Sequence, residues 1–294
     1  MGSCVTSVES TFVSQTRHLV REVMPMILEA VAAETRNPSR KSDGTFVTAV
    51  DTAVEDRFIT ALRGSFPDTP ILGEEEASHA PIEAREGAYD YYASFMSAPR
   101  QVVIDPIDGT RNFVEGKSEF CVAAALTLSG GGGIWPIAGV VAIPIAGIMF
   151  WTEGSAVYRE NLTTGEIERC EQRLSSASRV SANSADRSWL MANGFEIYLP
   201  WISSGSSVHD FLGTAIGELC GSLVGKQRLW DLMAPLAIAA RLGCELRDLL
   251  SGDLVTSIGP RDLSPDIAGR PWGIERKMVL LPKGVEVGTL FGRR

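Results

Sequence analysis

Asp105 and Asp108 are the residues of this chain whose type and spacing most directly imply chemistry. They lie within Val102-Val103-Ile104-Asp105-Pro106-Ile107-Asp108-Gly109-Thr110-Arg111-Asn112-Phe113. There a β-branched run suited to a buried strand ends in two carboxylates, a proline and a glycine. Two carboxylates on so rigid a corner repel each other unless a cation lies between them. Carboxylates together with backbone carbonyls form an all-oxygen donor set, which suits a hard ion such as Mg²⁺ better than zinc. If Gly109 and Thr110 open a helical turn, their N–H groups and the Thr110 hydroxyl face an anion beside that cation. The pattern points to a metal-phosphate site.

Other polar residues stand at the ends of apolar elements. Ile71-Leu72 reads as a short strand ending in Gly73-Glu74-Glu75-Glu76. Three adjacent acids are ordinarily a solvated run; the preceding strand and glycine raise the ligand reading for Glu74, and Glu76 reads as surface. Asp51 follows the extended segment Phe46 to Val50 and opens a helix marked by Val54, Phe58, Ala61 and Leu62. Asp231 opens another, through Leu232, Leu236, Ile238, Ala239 and Leu242, which stops at Gly243. Both acids read as N-caps. Lys41, in the polar connection Asn37 to Gly44, reads as a solvated loop lysine.

The run DPIDGTRNF, Asp105 to Phe113, resembles the signature of the inositol monophosphatase family, within the larger group of fructose-bisphosphatases and bisphosphate nucleotidases. Val47-Thr48-Ala49-Val50-Asp51, Ile71-Leu72-Gly73-Glu74-Glu75 and Leu229-Trp230-Asp231 match the family in the same order, so the resemblance covers most of the chain. It implies a lithium-sensitive phosphoric monoester hydrolase with two or three Mg²⁺ ions per site. Glu74, Asp105 and the Ile107 carbonyl are implied as ligands of the first ion, and Asp105, Asp108 and Asp231 of the second. Asp51, Thr110 and Glu74 are implied as catalytic groups, Asp51 and Thr110 orienting the attacking water and taking its proton. Gly109 and Thr110 would cradle the phosphate, and Gly205 and Ser206 would approach the substrate, although a helix cap also explains that turn. A lysine near the position of Lys41 often faces the site in the family.

For the substrate, the resemblance implies an inositol phosphate or a related small phosphorylated metabolite. The inositol enzymes usually carry a glutamate seven residues before the helix-starting aspartate, where this chain has Val224. Lys226 and Arg228 nearby are candidate substrate contacts and favour an additional anionic group. Asn112-Phe113 favours inositol or sugar phosphates instead. A 3′(2′),5′-bisphosphate nucleotidase, a histidinol-phosphate phosphatase and a non-catalytic metal- or partner-binding member remain alternatives. The DxDGT pattern of haloacid-dehalogenase phosphatases does not apply, because Asp105 and Asp108 are one residue too far apart.

The elements that must position these residues are expected, from the resemblance, to form an α+β / α/β fold, a layered α-β-α-β-α sandwich of the sugar phosphatase type. Residues 1–155 would form an α+β domain with most metal ligands and 156–294 an α/β domain with Asp231, the site lying between them. Along the chain, Thr11 to Thr35 has helical spacing that Pro25 should kink or divide. Ala77 to Arg100 reads as a flap or dimer contact with a short helix near Tyr89 to Met96, and His79 as a surface histidine. Cys121 to Leu128, Ile137 to Ile143 and Ile145 to Trp151 read as an antiparallel meander, with Ser129 to Gly133 as its hairpin loop. Leu174 to Asn183 resembles the strand that begins the second domain, Val208 to Leu219 reads as a helix, and the stretch beyond Gly252 has little functional content.

With 294 residues, 45% hydrophobic and 21% charged, the chain can bury a large core. A net charge of −9 argues against nucleic acid and anionic membranes as partners. An enzyme for anionic substrates must then recruit positive charge locally. Five cysteines, Cys4, Cys121, Cys170, Cys220 and Cys244, have no CxxC spacing and fit reduced thiols. The first residues lack the pattern of a secretion signal, and no apolar run reaches the ~20 residues that span a bilayer. A cytoplasmic protein is expected, and by resemblance a homodimer.

Overall fold

The computed structural model describes residues 2–33, 38–41, 44–77, 87–171, 178–266 and 269–293. The strand bearing the acidic motif, Arg100–Asp108, runs parallel to Ile71–Gly73 and antiparallel to Cys121–Gly130. Gly133–Ile143, Ile148–Glu153, Ala156–Asn161 and Ile167–Cys170 follow as successive antiparallel neighbours, so the seven-stranded sheet is a meander with one parallel edge strand. The glycine run closes a hairpin, as expected. Pro144 to Gly147 forms a turn, which delays the next strand to Ile148.

Alternation along these strands sorts side chains into two layers. Val102 and Ile104 pack with Phe12, Val20 and Ile27 of the helix Gly2–Ala32 and with Val54, Phe58 and Leu62 of the helix Ala49–Ser65. Val103, Ala123 and Val141 point the other way, onto the helices Ser207–Ala215 and Leu229–Arg241. Beyond those helices lies a five-stranded sheet in the order Trp201–Ile202, Val180–Ser181, Gly221–Val224, Met278–Leu281, Glu245–Asp248. Val224, Met278 and Leu280 face the helices. Leu223, Val279 and Leu281 face outward, onto Leu190 of the helix Ser184–Ala192 and Leu290 of Val287–Leu290. The layers therefore alternate helix, sheet, helix, sheet, helix, the sandwich expected from the resemblance.

Some expectations need correction. Pro25 does not divide the first helix, which continues to Ala32; Val23, Met24 and Ile27 are buried on both sides of it, and that burial outweighs one lost hydrogen bond. The helix after Ser206 ends at Ala215, ahead of Gly217 in the left-handed region. The short helix expected near Tyr89 to Met96 is present as Ala88–Ser97, and it is docked through a fully buried Tyr92. His79 and Leu174 lie outside the described residues.

Phe58 is fully enclosed between the first helical layer and the large sheet. Phe58→Ala is expected to lower unfolding free energy by about 3–5 kcal/mol. Urea denaturation of the two proteins measures this, and a loss below about 1 kcal/mol would contradict the layering.

Candidate active site

In a regular strand, residues three apart point to opposite faces, which would separate Asp105 from Asp108. The ladder removes that obstacle. Asp105 stands opposite Ala123 and Asp108 opposite Cys121, so three steps along one strand face two along its neighbour. This bulge falls at Pro106, which has no N–H to give the ladder, and it brings Asp108 to the side that Asp105 already shares with Val103. Ile107 is sent the other way, into the core beneath the long helices.

The helix Leu229–Arg241 meets that face with its first turn. Asp231 is the third residue of the helix, and its Oδ2 accepts the Arg228 N–H at 2.9 Å. Asp51 has the same place in the helix Ala49–Ser65: Thr48 is the cap, and Asp51 Oδ2 accepts the Thr48 N–H at 2.9 Å and its hydroxyl at 2.5 Å. Neither aspartate is the N-cap the sequence suggests. Each reaches back from the third position as in a capping box, and this leaves the other oxygen to face the site.

One oxygen from each of Asp105, Asp108 and Asp231 lies within 4.8 Å of the others. Glu74, delivered by the parallel edge strand, opens the short helix Glu74–Ala77, and its charge acts on all three. Neither oxygen of the buried Asp105 meets a hydrogen-bond donor; its neighbours are the carboxylates of Glu74, Asp108 and Asp231. A buried acid without donors among other acids fits a hard divalent cation. Burial, then the neighbouring carboxylates, pushes Asp105 and Asp231 far above the usual carboxylate range. Asp108 is pushed up to about 7 by burial, opposed by hydrogen bonds from Ser206 and Val208.

Beside the cluster, Gly109 has φ +85°, and a side chain on it would run into Ser206 and the Glu119 carbonyl at 3.0–3.1 Å. The chain then turns into the short helix Thr110–Glu115. The Thr110 hydroxyl lies 3.1 Å from Asp51 Oδ1 and 3.0 Å from the Ile107 carbonyl. Burial raises Asp51 to about 6 despite its bonds from Thr48.

Lys41 is not solvated. Its side chain is 7% exposed, and Nζ donates to Glu74 Oε1 at 2.7 Å and Glu75 Oε1 at 2.8 Å. Burial alone would lower its pKa, but the two carboxylates outweigh burial and hold it well above the usual range. The hairpin of Ser39–Arg40 with Phe46–Val47 folds it inward, a non-local arrangement with no local signature. Burial raises Glu75 to about 8. Behind these acids, Glu55 accepts the N–H groups of Glu75 and Glu76, each at 2.8 Å. It lies so close under Gly73 that a Cβ there would sit 2.4 Å from its carboxyl carbon.

The cluster forms the floor of a cleft of about 410 Å³ whose lining includes Gly205, Lys226, Arg228 and Arg270. Ser206 is placed differently from its expected role. It is buried, caps the helix Ser207–Ala215, and its hydroxyl donates to Asp108 Oδ2, which also accepts the Val208 N–H at 2.8 Å. Asn112 is a brace, its amide donating to the carbonyls of Glu119 at 2.6 Å and Ser204 at 2.8 Å, and it is not among the cleft residues. Val224 is fully buried, paired with Met278 in the small sheet. Arg270 comes from the stretch read as low in function, where an isolated arginine among glycine and proline gives no periodic signal.

Comparison with known proteins agrees with this geometry. The inositol monophosphatase family model matches residues 4–268. The 3′(2′),5′-bisphosphate nucleotidase CysQ of Escherichia coli (strain K12) is 30% identical over 211 residues, covering 71% of this chain and 78% of that protein. An inositol monophosphatase of Dictyostelium discoideum is 37% identical over 111 residues, 38% of this chain and 36% of that protein. The solved structure of inositol monophosphatase-II from Staphylococcus aureus superposes with a TM-score of 0.62 at 21% identity, covering 92% of this chain and 88% of that one, a likeness of fold.

The raised acids make a signed prediction. A carboxyl such as Asp108, moved from an ordinary 3.8 to about 7, binds more protons in the folded than in the unfolded chain across that interval. The metal-free protein should therefore lose stability as pH rises from about 4 to about 7 and stay low above it. Saturating Mg²⁺ should restore most at pH 8, by about 2.7 kcal/mol at a hundredfold excess over Kd. Thermal melts with EDTA or Mg²⁺ at pH 5.5 and pH 8 measure both, and a metal-free Tm that climbs between them contradicts the cluster's electrostatics.

Proposed function

This chain belongs to the inositol monophosphatase family and is a phosphatase of that superfamily; we propose that it cleaves a phosphate monoester of a small metabolite with water activated at the Asp105, Asp108, Asp231 and Glu74 cluster. The observation that carries this reading is the buried Asp105, without a donor at either oxygen and ringed by acids from three distant stretches of the chain. Bound Mg²⁺, two or three ions by the resemblance, would supply charge neutralisation at the phosphoryl oxygens and lower the pKa of a water. Glu74, Asp105 and the Ile107 carbonyl would hold one ion, and Asp105, Asp108 and Asp231 another.

The chain's own groups then have distinct tasks. Ser206 and the Val208 N–H hold Asp108 in place by bonding one of its oxygens. Thr110 Oγ1 takes up the proton of the attacking water and passes its own to Asp51, which at about 6 is ionised at neutral pH yet basic enough to accept it. Gly109 and Thr110, which line the cleft, offer backbone N–H groups to the phosphate. Lys226, Arg228 and Arg270 face the part of the substrate beyond the scissile bond.

That cationic wall, with Val224 withdrawn into the core, favours a substrate carrying a second anionic group, such as a 3′(2′),5′-bisphosphate nucleotide, beside the inositol phosphate reading. A homodimeric assembly and inhibition by Li⁺ belong to the same proposal. So does a cytoplasmic setting, which the free thiols of Cys121, Cys170, Cys220 and Cys244 support. No described helix is long and apolar enough to cross a membrane.

Asp105→Asn is expected to reduce phosphate release by at least about 10³-fold, the scale of losing one preorganised electrostatic group. The metal-free Tm at neutral pH should be unchanged or higher, because a carboxyl that ionises freely only in the unfolded chain has been removed. Assays with Mg²⁺ on inositol 1-phosphate, fructose 1,6-bisphosphate, adenosine 3′,5′-bisphosphate and histidinol phosphate test turnover and choose among substrates. Near-normal turnover by the variant would remove the mechanism, and release from none of the four by the wild type would favour a non-catalytic member.

A further inference from the structure

Trp272 has φ +58°, alone among the described non-glycine residues in that region of backbone space. Such a conformation persists only where the surroundings impose it. Here the helix Ala88–Ser97 does so. The Trp272 ring lies 4.6 Å from Tyr92, 5.1 Å from Phe95 and 5.5 Å from Tyr91, centroid to centroid. The Tyr92 hydroxyl accepts the Trp272 N–H at 3.1 Å and donates to the Ser264 carbonyl at 2.9 Å. The wedge is 1% exposed.

From this wedge the backbone leads to the cleft. The Trp272 carbonyl accepts the Leu229 N–H at 3.0 Å, the Ile274 N–H donates to the Gln227 carbonyl at 2.8 Å, and Arg228 pairs with Gly273. Residues 272–274 are thus laid along 227–229, the turn that enters the helix of Asp231. The two cleft guanidiniums rest on the same segment. Arg228 Nη1 donates to the Pro271 carbonyl at 3.4 Å and Arg270 Nη2 to the Ile274 carbonyl at 3.1 Å. The two like charges act on each other, and Arg270 is held beside Arg228 by this carbonyl and by Glu275, whose Oε1 lies 3.2 Å from Arg270 Nη1.

We propose that Trp272 is a positioning residue: its left-handed wedge, locked by the aromatic helix, sets Arg228 and Arg270 toward the end of the substrate remote from the scissile phosphate. The helix Ala88–Ser97, whose residues do not line the cleft, thereby governs affinity for substrates bearing a second anionic group. This rests on the phosphatase reading above.

The test compares adenosine 3′,5′-bisphosphate with p-nitrophenyl phosphate, which has no second anion, at saturating Mg²⁺. Trp272→Gly, which accepts the backbone angle but removes the ring, is expected to raise KM for the bisphosphate about tenfold with kcat changed less than about twofold, the size of losing one well-placed charged hydrogen bond. KM for p-nitrophenyl phosphate should not move. Trp272→Phe should restore most of the loss, and Tyr92→Phe, if Trp272→Gly fails to fold, should shift the same KM ratio in the same direction. Arg270→Gln should reproduce the loss, and adding it to Trp272→Gly should cost no further affinity. A fall in Tm with an unchanged KM ratio would reduce Trp272 to a structural residue and overturn the proposal. If the wild type hydrolyses neither compound, the phosphatase reading fails on its own. Calorimetric binding of adenosine 3′,5′-bisphosphate then decides the role of Trp272: about tenfold weaker binding by the variant supports it, while equal binding, or none by the wild type, overturns it.

Discussion

The repulsion among Asp105, Asp108, Asp231 and Glu74 is the constraint on which the rest of the structure depends. Four acids gathered where Asp105 and Asp108 are buried and Glu74 and Asp231 half-buried are unfavourable for the apoprotein, and the raised pKa values of the three aspartates record that cost. The fold holds them together by rigid local means. A bulge at a proline corrects the parity of one strand, a capping box aims Asp231 inward, and Glu55 bonds the backbone that carries the glutamates. Lys41 offsets part of the charge on Glu74 from a hairpin. The sandwich around the cluster supplies the apolar mass against which these devices are stiff.

The cleft separates two tasks. Its acidic floor is built on strand and helix ends, where the backbone leaves little freedom. Its cationic wall is built from Lys226 and Arg228, on the turn that connects the small sheet to the helix of Asp231, and from Arg270, on the stretch that leads into the strand Met278–Leu281. Floor and wall meet at that helix, because Arg228 caps the same turn whose third residue joins the acids. The wall thus stands on connecting segments and the floor on strand and helix ends, a division in which loops can vary on a rigid scaffold.

Much of the floor was legible in the sequence. A β-branched strand broken by Asp-Pro and Asp-Gly, a glycine before an acid run and an aspartate opening an apolar helix each carry local physics, and the resemblance ordered them. What escaped was non-local. Lys41 looks like any loop lysine until a hairpin folds it onto Glu74, and Glu55 looks like a helix-surface acid until Gly73 makes room for it. Asp51 and Asp231 were found, but the capping box hid their true positions by three residues, the caps being Thr48 and Arg228. Asn112 followed the motif and suggested a substrate preference, yet its amide ties two loops together. Arg270 had no local signal at all, since its place depends on the pairing of residues 272–274 with 227–229.

The placement of Asp231 has a further consequence for how the protein matures. Asp105 and Asp108 leave the ribosome well before the helix that carries Asp231, and Trp272, which bonds the start of that helix, follows later still. During synthesis the early acids form only part of the cluster, with neither its last carboxylate nor the turn that orients it. The acidic cluster is therefore completed late, with closure of the C-terminal layers, and a prematurely terminated chain carries the signature motif without its partner carboxylate.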